Sequence, residues 1–320
     1  MTTLAQPPQQ TDALGAQPRP AINAAGAAAT WNRPKPPRSS AAMSARQRLL
    51  IYTVLCVGSL VFLIPFYFVL NGSLKTDAQV MGGNVVKPPA HWADIQWNNY
   101  PLALSPEKMN FWPALSNTVV ITTLSVIGQI ISCSLVGFGF ARFSFRGRSI
   151  LFMIMLSTMM LPAQITMIPL FVMFRTLHMI DTFWPIILPA WLASPFFVFM
   201  FRQFFTQIPE ELIEAAKMDG ASHWRIYWQL MLPLSGPVIA IVAIYTFLGT
   251  WNDFMTPLIY LNDPAKGTLA LALNSFMGQY GLTDANLLMA GSVVCMLPCI
   301  VLFFACQKYF VESVAMTGGK

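Results

Sequence analysis

Asp253 is the single ionisable side chain inside the long apolar stretches of this 320-residue chain. A carboxylate at membrane depth is costly unless hydrated or paired, so its position marks a candidate site. It lies about fifteen residues, roughly 23 Å at 1.5 Å per residue, from the inner end of its stretch. Lining a solute path and tying helices together both remain open for it. Asn252 beside it, with Gln129 and Gln164 in two other stretches, offers amide groups suited to a hydroxyl-rich solute. The same amides serve equally well as hydrogen bonds between helices. Cys295 and Cys299 share a helix face at i, i+4, but no His stands near enough in sequence to complete a metal set, so they read as small apolar packing. His91, His178 and His223 fall in three different connections, and no phosphate loop of the form G-x-x-x-x-G-K-[ST] occurs. The chain therefore points to no metal and no cofactor; if ATP drives it, another chain binds the nucleotide.

The elements that must position these residues are set by composition. The chain is 55% hydrophobic and only 10% charged, with mean hydropathy +0.56, against about 25% charged in soluble domains. That excludes a soluble globular protein, and the wealth of aromatic and branched apolar residues excludes disorder throughout. Six apolar runs stand out at 49–70, 118–140, 149–174, 183–201, 238–261 and 287–307. Each is about 19 to 26 residues, enough for a helix to cross a hydrocarbon core of about 30 Å. The runs are continuous and lack the alternation of a membrane barrel strand, so the fold class is an all-α polytopic membrane protein with six transmembrane helices. Pro162, Pro169, Pro185, Pro189 and Pro195 are expected to kink the third and fourth of them.

Positive residues in the connections set the orientation, because such loops resist transfer across the membrane. Six spans place both termini on one side. Of the 19 Lys and Arg, fourteen lie in the two tails and the second and fourth connections, so both termini are expected in the cytoplasm. The same distribution accounts for the net charge of +6 beside the membrane surface, without nucleic acid. Residues 1–45, rich in Pro and Ala, form an expected disordered cytoplasmic tail. The first run is too long for a signal-peptide core and is expected to stay as an anchor in the lipid. The membrane domain then runs over 46–320. Its connections at 72–112, with Trp92, Trp97, Tyr100 and Trp112, and at 262–286 face the opposite side.

The segment at about 207–233, QIPEELIEAAKMDGASHWRIYWQLMLP, reads as two short helices joined at a glycine. Pro209 suits a first helical position, and Glu210 and Glu211 suit the first turn. Gly220 supplies a left-handed stop and Ser222 caps the second helix. Trp224, Tyr227, Leu230 and Met231 form one face of that helix by spacing, and Pro233 ends it. On physical grounds alone such a pair simply packs beneath its own bundle.

The same residues resemble a known family. Glu214, Ala215, Ala216, Asp219, Gly220, Ala221, Leu230, Leu232 and Pro233 resemble the EAA motif of ABC-importer permeases, E-A-A-x3-G-x9-I-x-L-P, with Leu where Ile is usual. Further stretches are similar to the carbohydrate-uptake permeases of the maltose and glycerol-phosphate type. They are Ser73-Leu74-Lys75, Asn117-Thr118, FARFSFRG (140–147), LPAQITMIPLF (161–171), WNDF (251–254) and LPCIVLFFACQKYF (297–310). The resemblance begins at about residue 49 and departs at the C-terminus, where VAMTGGK stands. It implies a type I ABC-importer permease fold in the inner or plasma membrane of a prokaryote. It also implies a second permease subunit, as a heterodimer, a dimer of cytoplasmic ATP-binding subunits, and an extracytoplasmic solute-binding protein that delivers a sugar or polyol. In that family the EAA loop is the coupling element. By position, Glu214 is then expected to face a basic residue of the ATPase, with Gly220 making the turn and Leu230 and Pro233 seating the helix.

Three other classes are open to test. An importer permease for a non-carbohydrate solute shares the EAA motif. A secondary transporter or channel needs no ATPase, but the paucity of intramembrane charge argues against a proton-coupled pump, which usually carries acid or His relays. A membrane-embedded enzyme needs a nucleophile or metal cluster across spans, and the sequence assembles none.

Overall fold

The computed structural model describes residues 44–83, 85–89, 91–277 and 284–317. The tail expected over 1–45 therefore lies almost wholly outside the described residues. Fifteen α-helices occur among those described: α1 Ala45–Ser73, α2 Asp77–Met81, α3 Asn99–Ala103, α4 Phe111–Arg142, α5 Arg148–Ser157, α6 Ala163–Thr176, α7 Trp184–Trp191 and α8 Pro195–Gln207, then α9 Glu210–Met218, α10 His223–Ile226, α11 Leu232–Leu234, α12 Gly236–Trp251, α13 Met255–Tyr260, α14 Leu269–Asn274 and α15 Ala285–Thr317.

Four stretches are helical, long and apolar enough to cross a membrane: Ala45–Ser73, Phe111–Arg142, Trp184–Gln207 and Ala285–Gln307. Two further pairs pass only together, Arg148–Met160 with Ala163–Thr176, bent by 99°, and His223–Leu234 with Gly236–Trp251, bent by 76°. The described residues thus give four crossings, or up to six if each bent pair is one.

The prolines act unequally. Pro162 breaks the third run: Leu161 before it is extended (ψ 119°), as the clash with a following proline ring demands. Pro169 and Pro189 sit inside helices without ending them. Pro185 and Pro195 occupy the opening turns of α7 and α8, where a missing N–H costs nothing.

The fifth run departs from expectation. It does not continue over 238–261; α12 stops at Trp251, and a new helix begins at Met255. Asp253 is accordingly not inside a span but in the break, where its Oδ1 accepts the Thr256 N–H at 3.1 Å. Short polar side chains that bond nearby backbone compete with helix in this way.

The described residues through Val61 form one unit, in which all but Gly58 are exposed. The rest of the described chain, from Phe62, is a second unit built around α4. Lipid tails are as apolar as Leu, so close packing and hydrogen bonds hold such helices together. Gly128 leaves room for the Trp191 indole, and Gly137 for the backbone of α8 at Val198 and the Phe201 Cβ; a Cβ at either glycine would collide. The break at 192–194, where Ala193 has φ +60°, frees carbonyls that α4 supplies with donors. Ser132 Oγ donates to Ala190 O at 3.1 Å and Cys133 Sγ to Ser194 O at 3.6 Å. At the end of α8, Arg142 Nη2 donates to Ile208 O at 2.6 Å and also to Phe205 O, capping the last turn.

Two core clusters mark the two ends of α4. One joins Cys133 and Phe138 of α4 with Phe201 and Phe205 of α8, Ile213 of α9, Ile226, Tyr227 and Met231, and Val238 and Val242 of α12. The other joins Met109, Phe111 and Ala114 with Trp251, Leu269, Leu287 and Cys295.

Candidate functional site

The 207–233 loop is a pair of short helices seated in the bundle core. Pro209 (ψ 137°) precedes α9 as its cap rather than opening it, and Glu210 and Glu211 fill the first turn. At the other end Gly220 has φ +78°. Ala221 N–H donates to Ala216 O at 2.9 Å and Gly220 N–H to Lys217 O at 3.0 Å. This pair of bonds is the Schellman closure, and it depends on a residue free to be left-handed. Ser222 then accepts the Arg225 N–H at 3.3 Å, as its type and place in the sequence require.

The second helix does not hold a regular period. After α10 the chain widens into a π-helix over Tyr227–Met231 before α11. The extra residue per turn moves the buried face, which consists of Ile226, Tyr227 and Met231 with Leu230 partly covered. Trp224, expected on that face, is instead 61% exposed, its ring edge-on to Tyr227 at 6.1 Å. No simple i, i+3, i+4 count reveals such a shift.

Tyr227, 1% exposed, fastens the loop to α4. Its hydroxyl shares a 2.7 Å hydrogen bond with Ser134 Oγ, and its ring lies 5.4 Å from that of Phe138. Ile213 is the one buried side chain of α9. Outward of this anchor Glu214, Ala215, Lys217 and Asp219 are exposed, Met218 is 88% exposed, and Ala216 and Ala221 are half-buried. A hollow of about 370 Å³ lies between the two helices, lined by Leu212, Ala215, Ala216, Asp219, Arg225 and Leu230 among others. Pro233 is exposed, and the sharp turn into α12 comes at Ser235, two residues on. The arrangement presents small and acidic side chains outward while large apolar ones grip the bundle.

The other four sequence-selected residues are not brought together. Gln129 is buried, and its Nε2 donates to Cys133 Sγ of its own helix at 2.7 Å. Gln164 lines a cleft of about 330 Å³ between α6, α7 and α13. Asn252 lines a different cleft of about 540 Å³ among α12, α14 and α15, where Asn274, Ser292, Cys295 and Cys299 also face. Asp253 caps α13 and is half-buried. The glycine contacts of α4 and the Arg142 cap escaped the sequence reading; in retrospect, glycine on an otherwise bulky helix was the available signal. Among the described residues no group of three His, Cys, Asp or Glu can hold a metal ion.

The described residues, all-helical with several stretches able to cross a membrane and a small-residue loop locked to the 32-residue α4, define a multi-pass membrane protein. Residues 133–316 match the family described as binding-protein-dependent transport system inner membrane component, so the chain belongs to that family. It is a permease subunit of an ABC importer, not an enzyme, and ATP hydrolysis belongs to a separate subunit. The chain is 34% identical over 265 residues to the arabinooligosaccharides transport system permease protein AraQ of Bacillus subtilis, covering 82% of this chain and 92% of that one. It is 28% identical over 268 residues to the sn-glycerol-3-phosphate transport system permease protein UgpE of Yersinia pestis, covering 83% and 95%. A crystal structure of a bacterial ABC transporter involved in the import of the acidic polysaccharide alginate superposes with TM-score 0.73 and 25% identity, covering 84% of this chain and 99% of that chain. A second alginate transporter structure, in complex with an alginate pentasaccharide-bound periplasmic protein, shares the fold at 15% identity and TM-score 0.56, covering 82% and 93%.

Proposed function

We propose that this subunit passes a sugar or related polyol from an extracytoplasmic solute-binding protein to the cytoplasm, coupled to a dimer of ATP-binding subunits through the 207–233 loop. A second permease subunit completes the pathway. The chain crosses the membrane six times with both termini in the cytoplasm, the side favoured by its positive residues. The observation that carries the coupling role is the loop's two-sided character. Ile213, Ile226, Tyr227 and Met231 are buried in the bundle core, while Glu214, Ala215 and Asp219 stay exposed around a turn fixed by Gly220. Such an element transmits a push from a docked partner to α4 and α12 as a rigid lever. The carbohydrate class is supported by relatives named for arabinooligosaccharide and starch-product transport. Asn252 and Gln164 in their clefts, with Asp253 at the α12–α13 break, supply polar groups along the solute path. Gln129 serves the packing of α4 instead.

Affinity purification of the solubilised chain from its host, with mass spectrometry of what accompanies it, tests this. An ATPase, a related permease and a solute-binding protein are the expected companions, and the last can then be screened for its sugar. Recovery of the chain alone, with uptake surviving loss of every ATPase, would overturn the coupling role and leave a secondary transporter.

A further inference from the structure

At the end of the bundle opposite the 207–233 loop, the segment 262–268 between α13 and α14 is held from two sides. Asp181, in the connection between α6 and α7, has φ +61°. Its N–H donates to Tyr260 O at 2.8 Å. Its Oδ1 accepts the N–H groups of Asn262 at 3.1 Å and Asp263 at 3.0 Å. Lys266 Nζ donates to Asp181 Oδ2 at 2.7 Å and to its backbone oxygen at 2.8 Å. From α4, Asn117 Nδ2 donates to Ala265 O at 2.9 Å and to Gly267 O at 3.1 Å, and Thr118 Oγ1 accepts the Leu269 N–H at 2.9 Å. Next to this clamp the buried ring of Tyr260 stacks on Phe171 at 6.0 Å and meets Phe174 edge-on at 5.6 Å.

The clamp joins α6 and α13, the two arms that lie beyond the breaks at 161–162 and 252–254. The arms before those breaks belong to the other end. Val238 and Val242 of α12 sit in the cluster with Tyr227 and Met231. Phe152 of α5 stacks on Phe199 and lies under Arg202 of α8. Before these breaks α5 is thus held by α8 and α12 by the loop, while beyond them α6 and α13 are tied together at Asp181. An exposed ion pair alone contributes little. Here one carboxylate also takes two backbone amides, from a left-handed backbone that only a few residue types tolerate. Those bonds hold the carboxyl down to about 2, first through Lys266 and then through the amides of Asp263 and Asn262, so it is charged at any working pH.

We propose that Asp181 is a positioning residue: with Lys266, Asn117 and Thr118 it binds α6, α13 and the 262–268 segment into one body at the extracytoplasmic end. A solute-loaded binding protein arriving there then moves α6 and α13 together, and the motion reaches the coupling loop through α5 and α12. The inference rests on the importer reading above. It predicts that the clamp governs stimulation by the binding protein rather than assembly.

The test uses the complete complex in proteoliposomes, with ATPase activity measured with and without binding protein, and uptake measured in parallel. Asp181→Gly keeps the left-handed turn at no steric cost while removing the side chain. It is expected to assemble with normal basal ATPase activity but to lose stimulation and uptake about five- to tenfold, the scale of a coupling free energy. Asp181→Asn retains an acceptor for the two amides, and Lys266→Met retains the carboxylate; both should lose less than the glycine variant. Stimulation per assembled complex equal to wild type in Asp181→Gly would overturn the proposal, as would losses that merely follow the amount of complex assembled. A wild-type complex that no binding protein stimulates overturns the importer reading and this inference together, which separates the two failures.

Discussion

Tyr227 offers the sharpest test of how the loop is anchored. Replacing it by Phe removes the hydroxyl that bonds Ser134 at 2.7 Å. Ser134 is not stranded, because its Oγ still reaches Ile130 O at 2.6 Å and Ile131 O at 3.2 Å. The loss is therefore one ordinary hydrogen bond, about 1 kcal/mol, or about fivefold in the population of the detached loop. Replacing it by Ala also removes a ring that is 1% exposed and packed against Phe138, Trp224 and Trp228. Truncating a buried aromatic costs about 3 to 5 kcal/mol, at least about a hundredfold in the same population. Lys217 and Arg225 lie on the exposed side of the loop, so trypsin reports local opening directly in a purified chain held in a lipid nanodisc. Cleavage after Lys217 and Arg225 should rise about fivefold for Tyr227→Phe and about a hundredfold or more for Tyr227→Ala, as rates that track the open population do. An alanine variant cut no faster than the phenylalanine variant would refute the anchoring argument, because the ring would then be carrying nothing.

Other expectations follow from the same geometry. Gly128→Ala drives a methyl group into the Trp191 indole and should destabilise the α4–α7 contact by about 1 to 3 kcal/mol, read as a lower thermal inactivation temperature of the purified complex. Glu214→Lys combined with Gly220→Pro should leave membrane insertion intact and separate ATP hydrolysis from uptake, since both changes fall on the exposed side and turn of the loop; unchanged uptake per ATP would sink the coupling role. The Asp181 carboxyl, lowered from 3.8 to about 2 by Lys266 and two amides, contributes fully above the ordinary carboxylate range and loses its contribution only as pH falls through about 2. Thermal inactivation midpoints of wild type and Asp181→Gly should accordingly keep a constant difference from pH 8 down to about pH 5, narrowing only in stronger acid.

Much of the fold was legible because hydropathy over a span is a long average. The runs at 49–70, 118–140 and 287–307 lie in helices long enough to cross, and that at 183–201 coincides with the α7–α8 stretch that is long enough only as a whole. The same averaging hid the break at Asn252 and Asp253, where strongly apolar flanks outweigh two polar residues. The caps of the loop were readable from single residues, since a left-handed Gly220 and an oxygen on Ser222 are local requirements. The buried face of α10 was not, because a π-turn depends on how Tyr227 and Met231 meet α4 and α12, which local spacing does not encode. The Asp181 clamp was equally invisible, joining residues up to 151 positions apart through backbone groups.

The π-turn over Tyr227–Met231 also fixes the phase between the loop and the span that follows. In an α-helix each residue turns the chain by about 100°. Removing one residue from that turn would close it into a regular helix and rotate everything upstream relative to Leu232 by that angle, carrying Tyr227 away from Ser134. The loop is in effect keyed to its own bundle. Loops exchanged between relatives of this chain should therefore work only when the residue count between the Gly220 turn and Pro233 is preserved, whatever side chains they carry.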